Sequence, residues 1–292
     1  MKIALYARQV APEHFPFIKE LLGELQRHQC KLFIYQPFLH AIKRMGDDLP
    51  ECTPFNSGAE IRGQVDFLFS LGGDGTILDT LTLVQDSGIP VLGVNVGRLG
   101  FLTAIGTENI SDSIDALVKG HFSLDKRRLL RLESNRNLFG GVNYALNELT
   151  IHKKDSSSMI IINTYLNGEY LNSYWADGLI IATPTGSTGY SMSCGGPIVA
   201  PYSGNFVITP IAPHNLNVRP IVVSDENVIS LEVLGRSQYF LASLDSRSVT
   251  IDSAISLAVR REDFTMNLVR LGSSNFLDTL RKKLNWGLDT RN

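Results

Sequence analysis

Two textures of sequence meet near residue 121, and that change constrains the fold more than any single motif. Before it, apolar runs of strand length alternate with segments whose apolar residues recur at helical spacing. KIALYA (2–7), KLFIY (31–35), VDFLFSL (65–71) and IPVLGVN (89–95) have the character of buried strands. HFPFIKELLGELQRH (14–28), TILDTLTLVQDSG ending at Gly88, and SDSIDALVKG ending at Gly120 have the helical period and a glycine or polar stop. Alternation of this kind predicts an α/β domain with a mostly parallel sheet. After residue 121 come short β-branched and aromatic runs separated by turn residues. They include YALNELTIH (144–152), MIIINTYL (159–166), LIIATP (179–184), FVITPI (206–211), NVISLEV (227–233) and SVTIDS (248–253). Asn167-Gly168 between two such runs is a hairpin signal. This half predicts an all-β, largely antiparallel C-terminal domain, followed by a helix over NFLDTLRKKLNW. The expected division is 1–122 with 270–292 as the α/β domain, and 123–269 as the β-rich domain.

Ligands of parallel sheets bind beyond the carboxyl ends of the strands. Two glycine-rich stretches fall there, LGGDGT after 65–71 and NVGRLGF after 89–95. In the first, Gly72, Gly73 and Gly75 bare the backbone, which suits phosphate, while Thr76 is placed to cap the helix that follows. Asp74 at the centre of this loop is either a turn residue bonded to its own backbone or an acid with a task. An acid would repel phosphate unless it took a proton from an attacking hydroxyl or held Mg²⁺ bridging phosphates. Either task belongs to phosphoryl transfer. No Gly-Lys-Ser/Thr follows at Walker spacing, and the stretch is not a GxGxxG fingerprint. NVGRLGF is a tight strand-to-helix turn or a ligand contact, with Arg98 either facing phosphate or solvated. WADGLIIATPTGSTGYSMSCGGP (175–197) is dense in glycine and hydroxyls, a composition suited to ribose, phosphate or amide hydrogen bonding, or to a surface loop. Asn147 and Glu148 form a polar pair inside an apolar run, which requires partners from a ligand or from the fold.

The net charge of −2 disfavours nucleic acid as a main partner. Three widely spaced cysteines form no disulfide framework and fit a reducing compartment, so a cytoplasmic location is expected. No apolar stretch approaches the ~20 residues of a membrane span.

Taken together, LGGDGTIL (71–78), NVGRLGFL (95–102), ALNELTIHK (145–153), ADGLIIATPTGSTGYSMSCGGP (176–197) and TPIAPHNLNVRPIV (209–222) resemble the NAD kinase family, in that family's order. GGDGT alone is shared with diacylglycerol- and sphingosine-type lipid kinases; its combination with Asn-Glu and TPTGSTGY is far more specific. The resemblance implies transfer of the γ-phosphoryl of ATP to the 2′-hydroxyl of the adenosine ribose of NAD. It implies NAD in a cleft between two domains and a C-terminal helix returning to the first. It makes Asp74 the catalytic base, with Gly72, Gly73, Gly75 and Thr76 as the phosphate loop. Asn147 and Glu148 would contact the ribose and phosphate region of NAD, Asp177 the nicotinamide end, and Thr185, Thr188, Gly189 and Tyr190 the adenosine part. Asp245 would reach substrate from a neighbouring subunit, so a homo-oligomer, dimer or tetramer, is implied. Mg²⁺ would come with ATP rather than on a protein side chain. In two places the chain departs from the family pattern. Gly189 stands where Ala is usual, and Arg247, a further candidate for a charge contact, stands where Gln is expected.

Overall fold

A computed structural model of the chain describes residues 1–44, 50–97, 100–106, 110–154, 158–272 and 275–286. Internal contacts divide the chain into two compact units, Met1–Lys126 with Met266–Asn292, and Arg127–Thr265.

The first unit begins with β1 (Lys2–Tyr6), α1 (Phe15–Arg27), β2 (Lys31–Tyr35), α2 (Gln36–Lys43), β3 (Cys52–Phe55) and α3 (Gly58–Ile61). It continues with β4 (Phe67–Leu71), α4 (Asp74–Val84), β5 (Val91–Val94) and α5 (Ile110–Val118). Its strands pair in parallel in the order β5-β4-β1-β2-β3. The order reverses direction between β1 and β4, so the loops leaving these two strands diverge. A crevice at such a point is where open α/β sheets take ligands, and Gly72-Gly73 leaves β4 there. One face of the sheet is covered by α1, whose Phe17, Ile18, Leu21, Leu22 and Leu25 are buried, and by α5 through Ile110, Ile114 and Leu117. Each such side chain contributes roughly 1.5–3 kcal/mol of hydrophobic stabilisation. The helices α2 and α3 and the strand β3 carry signals too weak to read from sequence. The edge strand β3 contains Pro54, which cannot donate to a ladder and so blurs the strand pattern.

The second unit takes its first strand from β6 (Phe122–Ser134). There follow β7 (Tyr144–Ala145), β8 (Glu148–Lys153), β9 (Ile160–Leu166), β10 (Glu169–Ala176), β11 (Gly178–Ala182), α6 (Tyr190–Ser193), β12 (Asn205–Ile211) and β13 (Ile221–Ser224). The remaining strands are β14 (Ile229–Gly235), β15 (Tyr239–Leu244), β16 (Arg247–Asp252) and β17 (Leu257–Leu271). The order β13-β12-β11-β8-β15-β16 is antiparallel throughout, and β10-β9-β14 with the first part of β17 forms a second antiparallel set. Inward side chains from both sets, among them Leu149, Ile151, Ile162, Ile229 and Phe240, make one apolar cluster. The hairpin at Asn167-Gly168 has positive φ at both residues, 51° and 85°, as a two-residue loop of the NG kind requires.

The last part of β17 belongs to the first unit, with Leu268 opposite Val91 of β5 in parallel. Helix α7 (Phe276–Leu284) follows it there. The expected α/β fold, all-β part and returning C-terminal helix are thus all present.

Candidate active site

Helix α4 starts one turn earlier than its apolar period suggests. Asp74 is its first residue, Gly73 is the N-cap with no side-chain cap, and Thr76 lies within the first turn, its N–H on the Gly73 carbonyl at 3.0 Å. The expectation that Thr76 caps this helix is therefore corrected: a carboxylate in the first turn already complements the positive end of the dipole. Gly73 and Gly75 are exposed, and the Gly72 N–H is fixed to the Val94 carbonyl at 2.9 Å.

The carboxylate of Asp74 is aimed by the segment after β5. Phe101 N–H donates to Oδ2 at 2.8 Å and Leu102 N–H to Oδ1 at 3.0 Å. Gly100 is what lets this happen, since a Cβ there would collide with Oδ1. The end of this segment, at Phe101 and the following Leu102, is thus the holder of Asp74; Arg98 lies outside the described residues. From the C-terminal helix, Lys283 Nζ approaches Oδ2 at 3.5 Å. Gly72, Gly73, Asp74, Gly75 and Thr76 are thereby brought together with Gly100, Phe101, Leu102 and Lys283. An anion-accepting helix end, an ionisable oxygen and a cation in one place can handle proton and phosphate together.

A second group forms in the second unit around Glu148. The run 144–152 is not one strand but two, interrupted at Leu146 and Asn147. The reason is Asp245, whose carboxylate accepts the N–H groups of Leu146, Asn147 and Glu148 at 2.9, 2.8 and 3.1 Å. Asp245 itself has φ of 51°, a left-handed position that aspartate tolerates. Within the chain, its carboxylate is held by three backbone N–H groups. Glu148 takes an N–H from Tyr190, and its carboxyl is pushed up to about 8 by burial and by the Asp245 charge. Burial pushes the Asp245 carboxyl up as well, but three N–H donors and the Arg247 guanidinium oppose this. The N–H donors favour the charged form on Asp245 over that on Glu148. Glu148 Oε2 is buried with no hydrogen-bond partner among the described residues. Gly189 lies against that oxygen, at 3.1 Å from where a Cβ would sit, so Gly in place of Ala leaves the Glu148 carboxyl room.

The other expected residues divide. Asp177 pairs with Lys153 at 2.6 Å, a partner that sequence reading missed. Thr185 is buried and accepts from the Arg127 guanidinium at 3.1 Å, while the Thr188 hydroxyl donates to the Thr185 carbonyl. The hydroxyls of Thr183 and Ser187 are likewise engaged in folding the loop, on the carbonyls of Leu146 and Pro184. Tyr190 keeps an exposed ring. Arg247 donates to the carbonyls of Val142 and Tyr144 and packs over Phe139 at 5.8 Å. A strand broken at 146 leaves carbonyls upstream that need a donor, and a guanidinium with five N–H groups supplies it. Among the described residues no cluster of three His, Cys, Asp or Glu side chains has the arrangement of a metal cage.

The chain as a whole is similar to known proteins. The ATP-NAD kinase N-terminal domain matches residues 44–122, and the ATP-NAD kinase C-terminal domain matches 146–271. The NAD kinase of Cytophaga hutchinsonii is 48% identical over 293 residues and that of Flavobacterium psychrophilum 45% over 294, each covering all of both chains. The crystal structure of yeast NADH kinase complexed with NADH superposes with a TM-score of 0.89 at 21% identity, over 100% of this chain and 89% of that one, and speaks for the fold. An NAD kinase from Archaeoglobus fulgidus in complex with ATP superposes at 0.75 with 26% identity, over 98% and 99% of the two chains. With both domains matched in order and full-length relatives at such identity, this chain belongs to the ATP-NAD kinase family.

Proposed function

We propose that this member of the family moves the γ-phosphoryl of ATP onto the 2′-hydroxyl of the adenosine ribose of NAD, with Asp74 as general base. The observation that carries the reading is the Asp74 carboxylate, held by two N–H groups at the first turn of α4 beside the exposed Gly73 and Gly75. A ribose hydroxyl is a poor nucleophile near neutrality. As its O–H proton passes to Asp74, the new O–P bond forms and the bond from the γ-phosphorus to the bridging oxygen breaks, releasing ADP. Base assistance contributes about 10² to 10⁴ in rate, and positioning and charge neutralisation supply the rest. Mg²⁺ enters as part of the ATP substrate and neutralises phosphate charge.

The second unit supplies the dinucleotide contacts in this reading. A buried Glu148 that keeps its proton near neutrality can face ribose and phosphate as a donor, without repelling them. Asn147, Gly189 and Tyr190 adjoin it, and Asp177 offers a second carboxylate for the nicotinamide end. Thr185 and Thr188 shape the loop that faces the adenosine.

We further infer a homo-oligomer, dimer or tetramer, supported by the exposed apolar side chains Met159, just before β9, and Trp175 and Leu234, on the strands β10 and β14 that flank it. Three free cysteines support a reducing, cytoplasmic location. Among the described residues no helix is long and apolar enough to cross a membrane.

The test is formation of NADP from NAD and MgATP, read with an NADP-specific coupling enzyme. Wild type yields product, and Asp74→Asn loses about 10²-fold or more in kcat while melting at the same temperature. Near wild-type turnover in that variant would remove Asp74 as the base.

A further inference from the structure

The C-terminal helix delivers a cation to the reacting carboxylate with more care than a helix end requires. Asn275 caps α7 by accepting the Asp278 N–H at 2.9 Å, Leu280 is buried, and Phe276 lies against Phe101 with ring centroids 6.3 Å apart. Asn285 stops the helix with φ of 53°. Basic residues in a last turn ordinarily need no aim, because the dipole they complement is diffuse. Arg281 fits that description and pairs within the helix to Asp278.

Lys283 does not fit it. Its Nζ lies 4.5 Å from the centroid of the Phe101 ring, whose own N–H aims Asp74, and 3.5 Å from Asp74 Oδ2. At 3.5 Å the approach is an ion pair but lies beyond the 2.7–3.2 Å of a well-formed N–H···O bond. The side chains are 34% and 27% exposed, so a salt bridge of this kind adds little to stability. The ammonium is therefore held beside the base with hydrogen-bonding capacity to spare.

We propose that Lys283 contacts the transferring phosphoryl group of ATP and screens its charge from Asp74. The inference rests on the reading of Asp74 as general base and ATP as donor. A base within about 3 Å of the 2′-oxygen, and a phosphorus within about 3.5 Å of that oxygen, leave a cation beside the base in reach of the phosphoryl oxygens. On arrival of ATP, Lys283 exchanges Asp74 Oδ2 for a phosphoryl oxygen. That frees a lone pair on Oδ2 for the ribose proton and places positive charge where the phosphoryl group passes.

The experiment compares Lys283→Met and Lys283→Arg in full-length enzyme, varying MgATP and NAD separately, with melting temperatures and with Asp74→Asn as reference. Loss of a charge-assisted bond corresponds to about 10- to 100-fold, so K283M is expected to lose that much in kcat/KM for ATP. Its KM for NAD and its melting temperature stay at the wild-type values, and K283R recovers most of the loss. Wild-type kinetics in K283M overturn the inference. So does a parallel loss toward both substrates with lowered melting temperature, the mark of a helix that merely docks. The outcome is separable from that of Asp74: unimpaired Asp74→Asn turnover defeats the base assignment, whereas the ATP-specific loss is read on K283M alone.

Discussion

Asp245 and Glu148 are bound to each other twice through the backbone. The Asp245 carboxylate accepts the Glu148 N–H at 3.1 Å, and the Asp245 N–H donates to the Glu148 carbonyl at 3.1 Å. Two acids are thereby held together with unequal means. Asp245 has three N–H donors on its side chain, while the Glu148 carboxyl has one, from Tyr190, and a buried oxygen left over.

This inequality makes stability depend on pH. Folded Glu148 keeps its proton to about 8, whereas an unfolded glutamate loses it near 4.3. Between these values the folded chain binds more protons, so stability falls as pH rises, by at most about 1.4 kcal/mol per unit from this group. Urea denaturation from pH 5 to 8 is expected to show that decline in wild type and a flatter profile in Glu148→Gln. Equal slopes in the two proteins would mean that Glu148 ionises normally in the fold.

Asp245→Ala leaves the N–H groups of Leu146, Asn147 and Glu148 without their acceptor. Unsatisfied donors of this kind cost about 1–3 kcal/mol each, with incomplete additivity, so a loss of about 3 kcal/mol is expected. Asp245→Asn, which retains one acceptor oxygen, should recover part of it. A surface substitution would cost less than about 0.5 kcal/mol, and a value that small would show that these bonds carry no weight.

Gly100→Ala places a methyl group onto Asp74 Oδ1. The carboxylate is the more easily displaced party, being at a helix start and partly exposed. Misplacement by about 1 Å can cost about 10²-fold in rate, so kcat should fall by that order. Affinity for NAD should be unchanged, read by equilibrium titration. A variant with full kcat would show that the Phe101 and Leu102 donors do not set the aim of Asp74.

Lys153→Met removes the partner of Asp177. The pair is partly exposed, so the cost in stability is expected to stay near 1 kcal/mol or less by thermal melting. The larger expected effect is on KM for NAD, because under the proposed reading a freed carboxylate changes the charge offered to the nicotinamide end. An unchanged KM for both NAD and NADH would take Asp177 out of the dinucleotide site.

Local patterning was enough to read most of the elements. KLFIY became β2 residue for residue, and the helical periods around 15–27, 74–84 and 110–118 all stand within a few residues of their reading. The glycine-rich loop after β4 and the Asn-Gly hairpin were legible for the same reason: period, glycine placement and turn chemistry are properties of a few consecutive residues. What those residues do with their side chains is a different matter. Asp74 is aimed by N–H groups 27 and 28 residues away and approached by a lysine 209 residues away, and Asp245 reaches back 97 to 99 residues to break a strand. Arg247, too, donates to carbonyls 103 and 105 residues distant that its own neighbourhood in the chain does not announce. The sequence by itself determined most of the segments that become strands, helices and bared loops, because neighbours along the chain decide most of that. Only the tertiary structure decided which oxygen is held, which is left open and which cation stands beside Asp74, because those are set by contacts that exist only once distant segments have packed.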